Sequence, residues 1–329
     1  MTLIPLTFKL DRAVILFMEI QVREARREDY AGIVEVHCSD VDKWRRKNGE
    51  TASYEELTPF ERWLHGGPWM DSETIKLHFE ILKECGGRAF VAVLGDKVVG
   101  EAEIVFSEEP KPYGRYCFLE VLVVHKNYRR RGIGTKLVKY CLEYAERQGY
   151  AIFDVIPEDE RAKRLYLKLG FSKIFDLCKM RRGCEVGEIE LLFEEIPPRN
   201  YPRDMLLVSG HWYPSIYIWQ NILRAQDYNR FKGFNIDRPM FFEIREDGKI
   251  GISVFQSHVT KPELCLAYLW VKPQEPTGSS MERIALDVAC KAWELGFSEV
   301  FVEVDEVHAL FFKNVGYRET SRMEYLRRA

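Results

Sequence analysis

The sequence predicts an α/β (α+β) fold built twice in one chain: two tandem domains, each a mixed sheet flanked by helices. Strand and helix signals alternate along the first half, a proline-rich run divides the chain, and the second half repeats the order of the first. A length of 329 residues suits two domains of ordinary size.

The elements follow in order. Met1–Phe17 is mildly apolar but interrupted by Lys9, Asp11 and Arg12, and it lacks the apolar core and cleavage site of a secretory leader. The fold is therefore expected to begin near Met18, with residues 1–18 an appendage or an early start codon. Glu19–Glu24 alternates as a strand, and Glu28–His37 has helical spacing that puts Ile33, Val34 and His37 on one face. Met70–Glu84 reads as a helix capped by Asp71 or Ser72. Arg88–Ser107 is two strands joined by a tight Gly95–Asp96 turn, and Tyr116–Val124 is a long β-rich run. Gly134–Gln148 is amphipathic, with Leu137, Val138, Cys141, Leu142 and Ala145 on one face. Ala151–Ile156 reads as a strand, Glu160–Leu169 as a helix, and Phe171–Met180 and Val186–Glu195 as two closing strands. Pro197, Pro198 and Pro202 fit neither a helix interior nor a central strand. They place a linker over 197–204, between domains 19–196 and 205–329.

Four segments of the second half match the first in the same order. Arg88–Ser107 matches Arg238–Ser257, with Gly100 and Gly251 equivalent, and Leu119–Lys126 matches Leu266–Pro273. The helix ending at Gly149 matches Met281–Gly296, and Arg161–Phe171 matches His308–Tyr317. A shared order of this kind indicates duplication.

Composition excludes several classes. The net charge of −3 argues against a nucleic-acid partner held by overall charge. No apolar run reaches the ~18 residues of a membrane span, so no membrane partner is expected. The eight cysteines form no C-x-x-C pair and read as reduced, mostly buried thiols of a cytoplasmic protein, Cys117 and Cys141 among the core. The seven histidines show no metal-ligand spacing, so no metal is expected, and His125 reads as a solvent-exposed loop residue, with a proton relay as the alternative.

The chemistry concentrates in Val121–Val138, where a strand ends, a short loop follows and a helix begins at R-x-x-G-x-G: Arg129, Gly132, Gly134. The first amides of a helix have no intrahelical acceptor, and the helix dipole adds partial positive charge. Glycine removes the Cβ that would hold phosphate oxygens away, and Lys126, Arg129, Arg130 and Arg131 add full charges. A pyrophosphate suits such a site. No Lys-Ser/Thr pair follows the second glycine, so it is not a Walker loop, and it lacks one glycine of a dinucleotide fingerprint. About thirty residues on stands A-x-x-L-Y-x-x-x-G-F: Ala162, Leu165, Tyr166, Gly170, Phe171.

These two segments together resemble the GNAT superfamily of acyl-coenzyme A-dependent N-acetyltransferases, over Ile20–Glu195 and most specifically over Leu119–Phe171. The resemblance implies a mostly antiparallel sheet and acetyl-CoA as co-substrate. It implies coenzyme contacts along Leu122, Val123 and Val124, around Arg129, Arg130, Arg131, Gly132, Ile133, Gly134 and Thr135, and at Asp159 and Ala162. Asp159 stands where the family often has Asn, so it either meets the coenzyme or caps its helix. The resemblance makes Glu120 the general base, against a structural hydrogen bond at a strand edge, and Tyr166 the general acid, against packing of a helix. The amide of Val123 or Val124 would meet the oxyanion. Asp40, Asp42, Trp44, Arg45, Glu55 and Glu56 fall where the family's acceptor loop lies, although most read as surface charges. The expected acceptor is an amine, on a small molecule or a protein. The expected state is a monomer or homodimer, since the duplication can stand in for a dimer. The alternative function is a non-catalytic acyl-CoA-binding or protein-interaction module on the same fold.

In the second repeat Glu275 replaces Arg129, Pro276 removes an amide, Ser280 replaces Gly134, Ala267 replaces Glu120 and Phe312 replaces Tyr166. The second domain is expected to keep the fold and bind coenzyme A poorly. Its aromatic stretch Gly210–Phe231 reads as a helix packed on a sheet, with a binding cleft as the alternative.

Overall fold

A computed structural model describes residues 19–273 and 278–329. The extension expected over 1–18, and Glu275 and Pro276 of the second repeat's loop, lie outside the described residues. The first half runs β1 (Ile20–Glu24), α1 (Tyr30–Cys38), α2 (Pro59–Trp63), α3 (Thr74–Glu84), β2 (Arg88–Leu94), β3 (Lys97–Glu109), β4 (Gly114–Val124), α4 (Ile133–Arg147), β5 (Ile152–Val155), α5 (Glu160–Lys168) and β6 (Ser172–Gly183). The second runs β7 (Leu192–Ile196), β8 (Leu206–Ser209), α6 (Ser215–Arg224), β9 (Met240–Arg245), β10 (Lys249–His258), β11 (Lys261–Val271), α7 (Gly278–Glu294), β12 (Glu299–Asp305), α8 (Glu306–Asn314) and β13 (Arg318–Arg328). No described helix is long and apolar enough to cross a membrane.

Local chemistry accounts for the elements. Asp71 starts α3 as expected, its Oδ1 accepting from the amides of Glu73 (2.8 Å) and Thr74 (3.3 Å). The Gly95–Asp96 turn joins β2 to β3, with Gly95 at φ 60°. On α4, Leu137, Val138, Cys141 and Ala145 are buried against the sheet, as their spacing predicts.

The strands form one sheet in the order β1-β2-β3-β4-β5-β13-β6-β12-β11-β10-β9-β7, with β8 alongside β11. Among the described pairings only β4–β5 and β11–β12 are parallel, so the sheet is mixed and mostly antiparallel. The duplication is visible in register: Gly100 faces Val124, and Gly251 faces Val271. Gly251 is also demanded by space, because a Cβ there would stand 2.5 Å from the Trp270 carbonyl oxygen.

The closing strands are exchanged between the halves. β13, the end of the second repeat, inserts between β5 and β6, while β6 pairs with β12. Burial is reciprocal: Leu326 of β13 joins the first half's core, and Cys178 and Met180 of β6 join the second's. The second expected closing strand, Val186–Glu195, is corrected. Only Leu192 onward is a strand, β7, and it pairs with β9 as β1 pairs with β2, so it opens the second half. The prolines at 197, 198 and 202 therefore follow a strand of the second half, between β7 and β8. Strand propensity marks that 192–196 is extended but carries no information about its partner.

Candidate active site

Strand β4 pairs with β5 only from Tyr116 to Leu119, yet it runs on to Val124 alongside β3. The register with β3 steps from Ile104↔Leu119 to Glu103↔Val121, so Glu120 is an extra residue, a β-bulge. A bulge bends and twists its strand. Here it coincides with the point where β4 leaves β5, and among the described residues Glu120–Val124 have no strand partner on the β5 side. Leu122, Val123 and Val124, the expected coenzyme-binding segment, lie in this parted stretch.

The loop after β4 ends at α4. Arg130 (φ 66°) and Gly132 (φ 77°) both have left-handed backbone, which a non-glycine residue such as Arg130 adopts at a cost. No side chain caps α4, which leaves the first-turn amides of Ile133, Gly134 and Thr135 without an intrahelical acceptor. A Cβ on Gly134 would meet Leu165, Leu122 and Val124 at ordinary contact distances of 3.6–3.9 Å, so glycine keeps open the space between helix and slot. Arg129 is turned inward: its Nε donates to the Val124 carbonyl at 2.9 Å and its guanidinium pairs with Asp40. It braces the loop against the strand end. Lys126 lies 3.5 Å from Asp42, and Arg131 stacks over Tyr128.

On α5, Asp159 is the N-cap, with Oδ1 accepting from the Ala162 amide at 2.6 Å. The expected coenzyme contacts of both residues are thus engaged with each other, which is the capping alternative. Tyr166 is 4% exposed, packs 5.6 Å from the Phe171 ring, and burial pushes its phenol pKa up. Its hydroxyl has no hydrogen-bond partner among the described residues. His125 is buried rather than solvent-exposed: its Nδ1 accepts from the Asn127 amide at 3.2 Å, and burial lowers its pKa.

Both carboxylate oxygens of Glu120 are buried without a partner; the Tyr217 hydroxyl faces them outside hydrogen-bond geometry. Burial, then the nearby charge of Glu103, raises the Glu120 pKa well above the usual carboxylate range. Glu120 does not stand alone. Glu101 and Glu103 alternate along β3 on the same face, both fully buried. Glu103 accepts from Trp69 Nε1 at 2.7 Å and lies 2.7 Å from His78 Nε2. Burial opposes its charge, but His78, Trp69 and His37 outweigh burial and hold its pKa low. Glu101 lies 2.6 Å from His37 Nε2, and its pKa is raised by burial and by Glu103. Burial lowers His37 to about 4. The spacing of Glu101 and Glu103 inside an apolar strand was the signal for this cluster, and sequence reasoning passed over it. His78, Glu103 and Glu120 bring donor atoms within 4.8 Å of one another, a spacing that could hold a cation. His78 and Glu103 already satisfy each other, however.

Beside this cluster lies a cavity of about 380 Å³ between the halves. Trp63, Trp69, His78 and Glu120 line it from the first half, and Tyr213, Tyr217, Tyr228 and Tyr268 from the second. The aromatic stretch 210–231 therefore does both things expected of it. Trp219 packs edge-on against Trp270 at 5.0 Å inside the second half, while Tyr217 turns to the cavity. The expected acceptor-loop residues do not line the cavity: Asp40 and Asp42 pair with Arg129 and Lys126, Trp44 packs on Tyr54 and His65, Arg45 bonds to Gly49, Glu55 is exposed, and Glu56 accepts from the Ser53 amide.

The second half lacks the slot. Ala267 pairs in unbroken register with Phe255, without a bulge. Where β11 runs beyond β12, strand β8 fills the place, pairing Leu206–Ser209 with Leu269–Val271. Phe312 packs on Tyr317 at 5.0 Å, as Tyr166 packs on Phe171.

The parted sheet beside the start of α4 brings Leu122 and Val124 to within 3.9 Å of the Cβ position of Gly134, so two of the segments expected to meet the coenzyme lie side by side. The sequence profile of the acetyltransferase (GNAT) family matches residues 51–171, and the chain carries a GNAT acetyltransferase domain. It is 33% identical over 128 residues to N-acetyltransferase 8B of Rattus norvegicus, covering 36% of this chain and 57% of that protein. It is 31% identical over 126 residues to N-acetyltransferase 8B of Homo sapiens, covering 36% and 56%. The match thus spans little more than half the length of these relatives. Among solved structures, a GCN5-related N-acetyltransferase of Anabaena variabilis superposes over 94% of this chain and 72% of its own, with TM-score 0.61 and 13% identity. A tandem GNAT protein from the clavulanic acid biosynthesis pathway superposes over 94% and 98%, with TM-score 0.52 and 13% identity. At these identities the likeness is one of fold.

Proposed function

We propose that the first half transfers an acetyl group from acetyl-CoA to a primary amine by direct attack. The observation that carries this reading is the parting of β4 from β5 at Glu120, next to the uncapped start of α4. The open edge of Leu122–Val124 would pair with the pantetheine arm, and the amides of Ile133, Gly134 and Thr135 would meet the pyrophosphate. The amine nitrogen bonds to the acetyl carbon while Glu120 takes its proton. The C–S bond then breaks, and the thiolate takes a proton from the Tyr166 hydroxyl, giving an amide and free coenzyme A. A raised carboxyl pKa makes Glu120 a stronger base than a solvated glutamate. The second half, with β8 in place of a slot, would cover the acceptor side and bind no coenzyme. Eight free cysteines, six of them buried, support a reducing, cytoplasmic setting.

Glu120→Gln tests the reading. Acetyl-CoA should bind by calorimetry at one site per chain with nearly unchanged affinity in the variant. Turnover should drop about 10²–10⁴-fold. In the parent, kcat/KM should rise with pH as Glu120 loses its proton, and the variant should lack that limb. Tight coenzyme binding with no transfer to any amine would instead favour a non-catalytic acyl-CoA-binding module.

A further inference from the structure

We infer that the cavity between the halves selects a primary amine carried on an apolar, aromatic-sized body with no second charged group. The inference rests on the transferase reading and adds the class of acceptor.

Glu120 belongs both to the parted segment of β4 and to the cavity wall. An amine beside it would therefore stand next to the thioester, and the rest of its molecule would fill the cavity. The volume of about 380 Å³ suits a small ligand. The walls are aromatic from both halves, among them Trp63, Trp69, Tyr217, Tyr228 and Phe234. Flat rings give a large contact area to an aromatic body, and their faces also attract an ammonium group before it loses its proton.

What the lining lacks decides the class. Among the described residues no lysine or arginine lines the cavity, so a carboxylate or phosphate on the acceptor would enter without a counter-charge. Glu120 is the one lining carboxylate, so the far ammonium of a diamine would be buried unpaired. Of the polar lining residues, Asn221 donates to the Tyr217 carbonyl at 2.8 Å and Ser257 to Asp237 at 3.1 Å, while Gln256 and the tyrosine hydroxyls can meet neutral polar groups but carry no charge to offset an ionic one. Amino acids and polyamines are disfavoured by the same physics, the burial of a charged group without a partner.

The test uses the full chain with 2-phenylethylamine, L-phenylalanine and 1,4-diaminobutane as probes. Acetylation rates with acetyl-CoA are measured for each, and binding is followed in parallel by quenching of tryptophan fluorescence. The expected result is a kcat/KM for 2-phenylethylamine at least about a hundredfold above either other probe, since an unpaired buried group costs that much discrimination. Comparable rates with L-phenylalanine or 1,4-diaminobutane would overturn the inference and leave the transferase reading intact. Selective binding of 2-phenylethylamine with no transfer to any probe would sink the transferase reading and leave the cavity's preference standing. No binding of 2-phenylethylamine would overturn the inference. Asn221→Trp, which fills the cavity from half-buried α6, should raise the KM for 2-phenylethylamine more than about tenfold and leave acetyl-CoA affinity unchanged. An unchanged KM would overturn the assignment to this cavity.

Discussion

Substituting Arg327→Met tests whether the exchanged strand binds the two halves into one cooperative unit. Arg327, on the last strand of the second repeat, reaches Asp154 on β5 of the first: Nε to Oδ1 at 2.8 Å and Nη2 to Oδ2 at 2.7 Å. Asp154 is 0% exposed, and its other donor is the Tyr325 hydroxyl at 3.0 Å. Methionine replaces much of the arginine stem but none of its charge, leaving a buried carboxylate with one neutral partner. Breaking a buried pair in this way costs about 3–5 kcal/mol, a large part of the roughly 5–15 kcal/mol stability of an ordinary domain. Burial already raises the Asp154 pKa against the pull of Arg327. Without Arg327 it rises further, so the folded variant holds a proton that the unfolded chain gives up. The loss should therefore be smaller at pH 5 than at pH 8. Urea unfolding followed by tryptophan fluorescence and far-ultraviolet circular dichroism should show one transition, shifted as a whole. Asp154→Asn combined with Arg327→Met should recover part of the loss, since no buried charge remains. A loss below about 1 kcal/mol, or two transitions of which only one moves, would refute the reasoning.

Other expectations follow from single residues. Tyr166→Phe should lower kcat about 10–100-fold and leave stability within about 0.5 kcal/mol, because no protein group bonds the hydroxyl; an unchanged rate would leave Tyr166 a packing residue. Gly134→Ala should fold normally, since its Cβ meets neighbours at 3.6–3.9 Å, yet weaken acetyl-CoA binding at least about tenfold in calorimetry if the proposed pyrophosphate packs against this turn; unchanged affinity would place the pyrophosphate elsewhere. Glu303 is pushed by burial from 4.5 up to about 7. Its stabilising protonation is complete below the unfolded value and lost as pH rises through the folded one, up to about 3 kcal/mol. Glu303→Gln should remove that slope between pH 4.5 and 7, which stability curves at several pH values would show; an identical slope in parent and variant would rule Glu303 out.

Much of the local structure was legible in the residues. The apolar face of α4, the Asp71 cap, the two-residue turn after Leu94 and the glycine loop before α4 each depend on neighbours within a few positions, where side-chain chemistry and backbone sterics act directly. The duplication was legible too, because matching hairpins impose matching register at Gly100 and Gly251. The difference between the halves left a local trace too, Ala267 in place of Glu120. Only the structure, however, showed its physical form: an unbroken strand register, and β8 lying where a slot would be.

Partnership was decided by the tertiary structure alone. Phe171–Met180 reads as a closing strand of the first half, yet β6 lies against β12 of the second, and β13 of the second half lies against β5 of the first. Edge hydrogen bonds are chemically alike on every strand, so the choice rests on distant contacts such as Leu326 in the first core and Asp154 with Arg327. The prolines marked a break, but not that β7 before them already belonged to the second sheet half. The cavity is likewise a product of distance: Trp69, Glu120 and Tyr217 lie far apart in the chain, and docking of the halves brings them to one wall. Sequence by itself determined which segments are strands, helices and glycine turns, because those are local free energies. The folded structure determined which strands meet and what lines the cavity between the halves, because burial and charge pairing between remote residues have no signature along the chain.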